Sequence, residues 1–149
     1  QDFLQLNAIV LSPGPGLPKE KQGLSKLLSE NIGKIPILGV CLGMQALVEY
    51  LGGSLENQQQ VKHGVSEEIQ MRSNSLLFKN LPSQFEVGLY HSWMVRCPED
   101  WITAHSMNGV PMAIELPVLK VFGVQFHPES IMTPQGKRIL QNFLDICSE

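Results

Sequence analysis

Apolar residues fall along this chain in short runs and stripes that predict alternating strands and helices. Runs at residues 8–11 and 37–40 predict two buried strands. Between them, residues 21–32 carry leucines and an isoleucine at helical spacing, and residues 45–51 form a second such stripe that ends at two glycines. A strand, a helix, a strand and a helix in this order predict a βαβ unit, whose strands run parallel through a right-handed crossover.

The remainder of the chain predicts shorter strands and one further helix. Strand-like pieces occur at residues 65–71, 85–90, 93–96, 102–107, 112–116 and 121–126. Asn108 and Gly109 predict a hairpin turn, and residues 75–81 predict a short helical turn. Residues 133–147 predict a final amphipathic helix. Without an internal repeat or a linker, the pattern predicts one domain over residues 1–149.

Composition and charge exclude several classes of protein. The 149 residues are 43% hydrophobic and 17% charged, with a net charge of −3, and a chain of this size can bury roughly 70% of its unfolded surface. This mild acidity indicates neither a nucleic-acid partner nor an anionic membrane surface, and no apolar run approaches the roughly 20 residues of a membrane helix.

The cysteines indicate a reducing environment. Cys41, Cys97 and Cys147 make an odd count in unlike contexts, so we expect reduced thiols in a cytoplasmic protein. No cysteine and histidine cluster has the spacing of zinc ligands, so we expect no metal and no other cofactor.

Cys41 stands where the second predicted strand meets the second predicted helix, between Gly39 and Gly43. Glycines at this spacing permit the sharp, strained turn that presents the nucleophile of many hydrolases. At a helix start, the sulfur would face unpaired N–H groups and the positive end of the helix dipole, both of which favour a thiolate. The alternative is a small buried hydrophobic residue, and this stretch alone leaves both interpretations open.

The segment at residues 12–16, Ser-Pro-Gly-Pro-Gly, follows the first predicted strand. Its prolines and glycines predict a defined turn with exposed N–H groups, which could bind an anion or an oxyanion; an ordinary connection is the alternative. Ligands of open α/β sheets bind beyond the carboxyl ends of the strands. We therefore expect this loop and Cys41 to face each other across one crevice.

His127, Pro128 and Glu129 form the second unusual stretch. The strand at residues 121–126 delivers His127, and Glu129 follows two residues later, on the same side of an extended chain. An imidazole with a carboxylate behind it is a common means of activating a thiol. Alone, the stretch is a weak motif, and a solvated histidine in a surface loop is the more common interpretation.

Four motifs, SPGPG, GVCLGMQ, YHSW and GVQFHPES, occur in this order. Together they resemble the class I (triad) glutamine amidotransferase family over essentially the whole chain. With the ending SIMTPQGKRILQNFL, they are most similar to the small subunits, or component II, of anthranilate synthase and aminodeoxychorismate synthase. The resemblance implies an α/β, flavodoxin-like fold: a three-layer, open, mostly parallel sheet with helices on both faces.

The resemblance also implies a role for each matching residue. Cys41 would be the nucleophile, His127 the general base and acid, and Glu129 the carboxylate that orients the imidazole. The implied substrate-binding residues are Gly14, Pro15, Gly16, Leu42, Gln45, Ser92 and Trp93, with the N–H groups of Gly14 and Leu42 forming an oxyanion hole. The implied activity is hydrolysis of L-glutamine through a γ-glutamyl thioester, with ammonia passing to a chorismate-using synthase large subunit, component I.

Three features depart from the subgroup. Met44 stands where this subgroup often has histidine, whereas the glutaminases of imidazole glycerol phosphate synthase commonly have methionine there. We expect Met44 to pack rather than to take part in chemistry. The segment at residues 64–66 lacks a basic residue that often follows His-Gly. The family's first strand, helix and strand are missing before Ala8, so we expect low stability or self-association through the exposed sheet.

Two other functions fit the same motifs. The chain could be the glutaminase of another synthase, one that makes imidazole glycerol phosphate, carbamoyl phosphate or GMP. It could also be a regulatory or assembly module that has lost turnover. Met44 and the missing first strand, helix and strand make this interpretation plausible.

Overall fold

The computed structural model describes residues 6–11, 23–72 and 74–149, apart from the side chains of residues 59 and 60. The strands are β1 (Ile9–Leu11), β2 (Ile37–Val40), β3 (Ser54–Met71), β4 (Gln84–Arg96), β5 (Ile102–Ser106), β6 (Pro111–Leu116) and β7 (Val121–Val124). The helices are α1 (Leu24–Asn31), α2 (Leu42–Tyr50) and α3 (Gly136–Cys147). None of these helices is both long and apolar enough to cross a membrane.

The described strands form one sheet in the order β1-β2-β7-β6-β5-β3-β4. The α/β fold is confirmed, but the sheet is mixed rather than mostly parallel. β1, β2 and β7 pair in parallel, whereas the four pairings that join β7, β6, β5, β3 and β4 are antiparallel. The reason is connectivity, because a parallel pairing needs a long crossover while a hairpin pairs its strands antiparallel.

The helices cover both faces of the parallel strands, as expected. Ile37 of β2 packs in a buried cluster with Leu28 of α1 and Leu47 of α2. Its neighbour Leu38 points to the opposite face and packs in a cluster with Phe143 of α3. Successive residues of a strand face opposite sides of the sheet, so a fully buried strand has an unbroken apolar sequence. This packing holds the carboxyl end of β2, and with it Cys41, between two helical layers.

The middle of the chain differs most from the sequence prediction. The separate pieces predicted at residues 65–71, 85–90 and 93–96 belong to two long strands, β3 and β4, which form one antiparallel hairpin. Irregular register between Asn57 and Lys62, and between His63 and Val65, accommodates the polar residues that interrupted the apolar pattern. All three pieces are strands, as predicted, but the strands are longer than predicted because backbone pairing does not require an alternating sequence.

Two local predictions had opposite outcomes. The hairpin turn at Asn108 and Gly109 is confirmed, since it joins the antiparallel strands β5 and β6 and Gly109 has φ of 83°. Residues 75–81 form a series of turns rather than a helical segment. The turns end with a hydrogen bond from the Leu81 N–H to the Phe78 carbonyl.

Candidate active site

Cys41 lies in the tight turn between β2 and α2. Its backbone has φ of 55° and ψ of −103°, a conformation that costs a residue with a side chain free energy and tends to occur at functional sites. A Cβ on Gly39 would lie 2.5 Å from the Gly43 carbonyl carbon, and one on Gly43 would lie 2.4 Å from the Leu11 carbonyl oxygen. The predicted strained turn with close backbone approach is therefore confirmed.

The Cys41 sulfur is enclosed by protein. The residue is 6% exposed, and its thiol lies 3.7 Å from the Tyr90 carbonyl oxygen, to which it donates. Gln125 Nε2 donates to the sulfur at 3.5 Å, and the Leu42 backbone N–H also donates to it. Three groups from three different parts of the chain thus fix the position of this sulfur.

The pKa of the Cys41 thiol is raised to about 11, mainly by burial, and the negative charge of Glu129 makes a small contribution in the same direction. The hydrogen bonds from Leu42 and Gln125 lower it, but by less. The Leu42 N–H at the helix start favours the thiolate, as expected, but burial outweighs it. Loss of contact with water raises the pKa of the sulfur by more than the hydrogen bonds lower it. A base beside the thiol would therefore assist its ionisation.

His127 supplies a candidate base. It follows β7, its side chain is only 13% exposed, and its Nδ1 lies 2.6 Å from a carboxylate oxygen of Glu129. Its Nε2 is buried and has no partner among the described residues. A carboxylate on Nδ1 selects the tautomer that leaves Nε2 free to accept a proton. The alternative of a solvated surface histidine does not hold.

Cys41 and His127 reach the same edge of the sheet. β2 and β7 are parallel neighbours in which Val40 pairs with Val124, so both residues follow the carboxyl ends of adjacent strands. They also share Tyr90, whose carbonyl accepts from Cys41 and whose ring meets the His127 ring at a centroid distance of 5.0 Å. The predicted sulfur and the imidazole–carboxylate pair therefore lie at the same edge of the sheet, and the cysteine and the imidazole both contact Tyr90.

Thr133 holds the turn that carries His127, a role that the sequence did not reveal. Its hydroxyl accepts from the Gly88 N–H at 2.9 Å and donates to the His127 carbonyl at 2.7 Å. The His127 N–H in turn donates to the Gly88 carbonyl at 3.1 Å. No local pattern marks such a residue, because its partner Gly88 on β4 is distant in the chain.

The predicted substrate-binding residues are only partly within the described structure. Gln45 is 4% exposed and its Nε2 donates to the Trp93 carbonyl at 3.2 Å. Ser92, beside Trp93 on β4, is half-buried, and Leu42 begins α2. The predicted loop residues Gly14, Pro15 and Gly16 lie outside the described residues, so the oxyanion loop stays a prediction.

Two more buried side chains near these groups were not assigned a role from sequence. His91 is 5% exposed, its Nδ1 lies 3.0 Å from the Trp93 carbonyl oxygen, and burial lowers the pKa of its imidazole. Gln125 is wholly buried and bonds both Cys41 and Gln45. Their position inside YHSW and GVQFHPES was the one available signal.

Met44 packs, as expected. It is fully buried on α2, and a Cβ added to Gly123 of β7 would lie 2.7 Å from its Cγ. The thioether therefore fills the space between helix and sheet. In the part of the chain that the structure describes, no group of three or more His, Cys, Asp or Glu side chains could hold a metal ion.

Known proteins are similar to this chain in sequence and in fold. The family described as glutamine amidotransferase class-I matches residues 2–147. A Lactococcus lactis protein named anthranilate synthase component 2 is 41% identical over 148 residues, which are 96% of this chain and 75% of that protein. One of the same name from Methanothermobacter marburgensis is 42% identical over 143 residues, 91% of this chain and 71% of that protein.

A solved structure agrees at the level of the fold. The crystal structure of a glutamine amidotransferase from Thermotoga maritima superimposes with a TM-score of 0.80 at 20% identity, covering 96% of this chain and 78% of that one. The match over nearly the whole sequence and the identities above lead to one assignment. This chain belongs to the class I glutamine amidotransferase family.

Proposed function

We propose that this chain is the glutaminase component of an anthranilate synthase, and that it hydrolyses L-glutamine through a thioester on Cys41. One observation carries the catalytic part of the proposal. A strained cysteine follows β2, and the hydrogen-bonded His127–Glu129 pair, whose imidazole is largely buried, follows the adjacent parallel strand β7. The names of relatives at 41% and 42% identity support the choice of synthase.

The geometry suggests how the thiol reacts. His127 Nε2 takes the Cys41 proton while the Nδ1–H group remains hydrogen-bonded to the Glu129 carboxylate. The carboxylate therefore stabilises the imidazolium that forms. Because burial disfavours a lone thiolate here, transfer to a neighbouring base creates an ion pair instead of an isolated charge. The sulfur then attacks the side-chain amide carbon of glutamine.

The remaining steps use the same groups. Attack opens the amide C=O to an oxyanion, for which the N–H groups of Leu42 and Gly14 are the proposed donors. Removing one such donor typically costs about a hundredfold or more in rate. His127 returns its proton to the departing nitrogen, which leaves as ammonia. Water, deprotonated by His127, then cleaves the thioester to release glutamate and the Cys41 thiol.

The ammonia is proposed to pass to a chorismate-using large subunit, component I, in the cytoplasm. Anthranilate is the favoured product, since both relatives described above carry that synthase's name. The same chemistry would serve an aminodeoxychorismate synthase. To distinguish the two products, the chain is assayed with chorismate and glutamine, first with one large subunit and then with the other. The product of each reaction is identified by its fluorescence or chromatographic mobility.

Glutamate release is the primary test. We expect turnover in the presence of the large subunit and a loss of at least about a thousandfold for Cys41→Ser, as for nucleophiles of comparable triads. Cys97→Ser is the matched control, because Cys97 lies after β4 in a different buried cluster and should leave turnover unchanged.

A glutamine-mimicking electrophile provides a second readout. It should label Cys41 in the wild type and fail to label Cys41→Ser. Equal labelling of both proteins, or undiminished glutamate release by the variant, would rule out the proposed nucleophile. A chain that neither turns over nor labels, although it binds component I, would instead be a non-catalytic assembly module.

A further inference from the structure

We infer that Gln125 is an additional functional residue of this site: its carboxamide N–H holds the Cys41 sulfur and favours the ionised form of that sulfur. The inference rests on the proposed function, in which Cys41 is the nucleophile. It assigns a task to a side chain that lies between the strand β7 and the reactive histidine, and that neither the triad nor the proposed substrate-binding set includes.

The orientation of the Gln125 carboxamide follows from its partners. The Trp93 carbonyl can only accept a hydrogen bond, so the Gln45 nitrogen, 3.2 Å away, must be a donor. The same nitrogen lies 3.4 Å from Gln125 Oε1, which therefore accepts. With its oxygen turned to Gln45, Gln125 must present its N–H groups to the Cys41 sulfur at 3.5 Å.

Burial gives this arrangement its effect. Gln125 is 0% exposed and Gln45 is 4% exposed, so water does not compete for these amides. The Gln125 backbone is also fixed, because its N–H donates to the Met112 carbonyl at 2.8 Å. A hydrogen bond to a thiol is weak, but one to a thiolate is charge-assisted and about twice as strong as a neutral one. The contact therefore stabilises the thiolate more than the thiol.

The other groups that face the sulfur act differently. Glu129 and His127 come from the turn after β7, and Tyr90 comes from β4; the Glu129 charge opposes ionisation. Among the described residues, Gln125 is the side chain that donates to this sulfur, and it adds to the Leu42 backbone N–H. Loss of the Gln125 amide should leave the buried sulfur with one hydrogen-bond donor fewer and should raise the pKa of the Cys41 thiol.

The test is the pH dependence of Cys41 alkylation by iodoacetamide, followed on the Cys41 peptide by mass spectrometry from neutral to strongly alkaline pH. Gln125→Met keeps the side-chain length and removes the donor. We expect the alkylation midpoint to rise by about one pH unit, and the rate at neutral pH to fall about fivefold to tenfold. Gln45→Met, which releases the Gln125 amide from its orienting partner, should shift the midpoint in the same direction by less.

Asn142→Leu is the matched control. Asn142 is a buried amide on α3 that donates to the carbonyls of Leu77 and Lys79, away from the sulfur. Its replacement should lower the melting temperature without moving the Cys41 midpoint. An unchanged midpoint in a folded Gln125→Met protein would overturn the inference.

A measurement on the wild type covers the case in which Gln125→Met does not fold. The side-chain amide signals of Gln125, observed by ¹⁵N NMR, should titrate together with Cys41 and should shift when Cys41 is alkylated. Signals that remain constant through both changes would overturn the inference. Alkylation needs only the sulfur, so these experiments decide the role of Gln125 even if the chain shows no glutaminase activity.

Discussion

Replacing Thr133 by valine tests whether the turn that carries His127 is held as the structure indicates. The substitution keeps the shape of the side chain and removes a hydroxyl that is buried at 4% exposure. It removes the acceptor of the Gly88 N–H at 2.9 Å and one of two donors to the His127 carbonyl, which still accepts from the Ser130 N–H at 3.1 Å. Two lost hydrogen bonds at about 1 kcal/mol each, with the cost of one buried unpaired N–H group, give a loss of about 2–3 kcal/mol in unfolding free energy.

Function should suffer beyond this loss of stability. His127 would keep its bond from its N–H to the Gly88 carbonyl but lose the second attachment of its turn, so its imidazole would be less well placed against Cys41. Small misplacements of a catalytic group cost up to about a hundredfold in rate. We expect kcat for glutamate release to fall about tenfold at temperatures where the variant is folded.

Urea denaturation and steady-state kinetics measure the two effects. Ser29→Ala is the control, because the Ser29 hydroxyl is exposed on α1 and bonds only the Lys26 carbonyl at 2.9 Å among the described residues. Its loss should change the unfolding free energy by less than about 0.5 kcal/mol. If Thr133→Val lost no more stability than Ser29→Ala and kept its kcat, the hydroxyl would not be holding this turn.

Three further predictions follow from the same structure. Gly43→Ala places a Cβ 2.4 Å from the Leu11 carbonyl oxygen and should lower the unfolding free energy by about 3 kcal/mol or abolish folding, as urea titration would show; a loss below about 0.5 kcal/mol would contradict this close approach. Burial raises the pKa of Glu115, so the stabilising contribution of this residue is full below the unfolded pKa of about 4.3 and is lost as pH rises through the folded pKa. In thermal melts at several pH values, the stability of the wild type relative to Glu115→Gln should therefore fall over that interval. A difference that stays constant with pH would refute this prediction. Val10 is 54% exposed on β1, which pairs only with β2 among the described strands, so Val10→Lys should reduce self-association in size-exclusion chromatography; a wild type that elutes as a stable monomer would count against this.

Much of the parallel half of the sheet could be predicted from local pattern. The run at residues 37–40 and the stripe at residues 45–51 correspond to β2 and α2, and the glycines around Cys41 indicated the strained turn between them. These features depend on the conformational preferences of neighbouring residues, which the sequence displays directly. The β3–β4 hairpin was predicted poorly, because its strands are paired through register shifts that have no local signal.

The sequence alone determined the chemical groups and their local setting: a cysteine in a glycine-flanked turn, and a histidine with a carboxylate two residues behind it. Only the tertiary structure decided the environment of these groups, because burial and partnership depend on residues far apart in the chain. The fold buries the Cys41 sulfur, and this burial raises its pKa to about 11 although the Leu42 N–H at the helix start lowers it. It also places the Gln125 amide against the sulfur and the Thr133 hydroxyl against the His127 carbonyl, since β2 pairs with β7 and Gly88 of β4 bonds both His127 and Thr133.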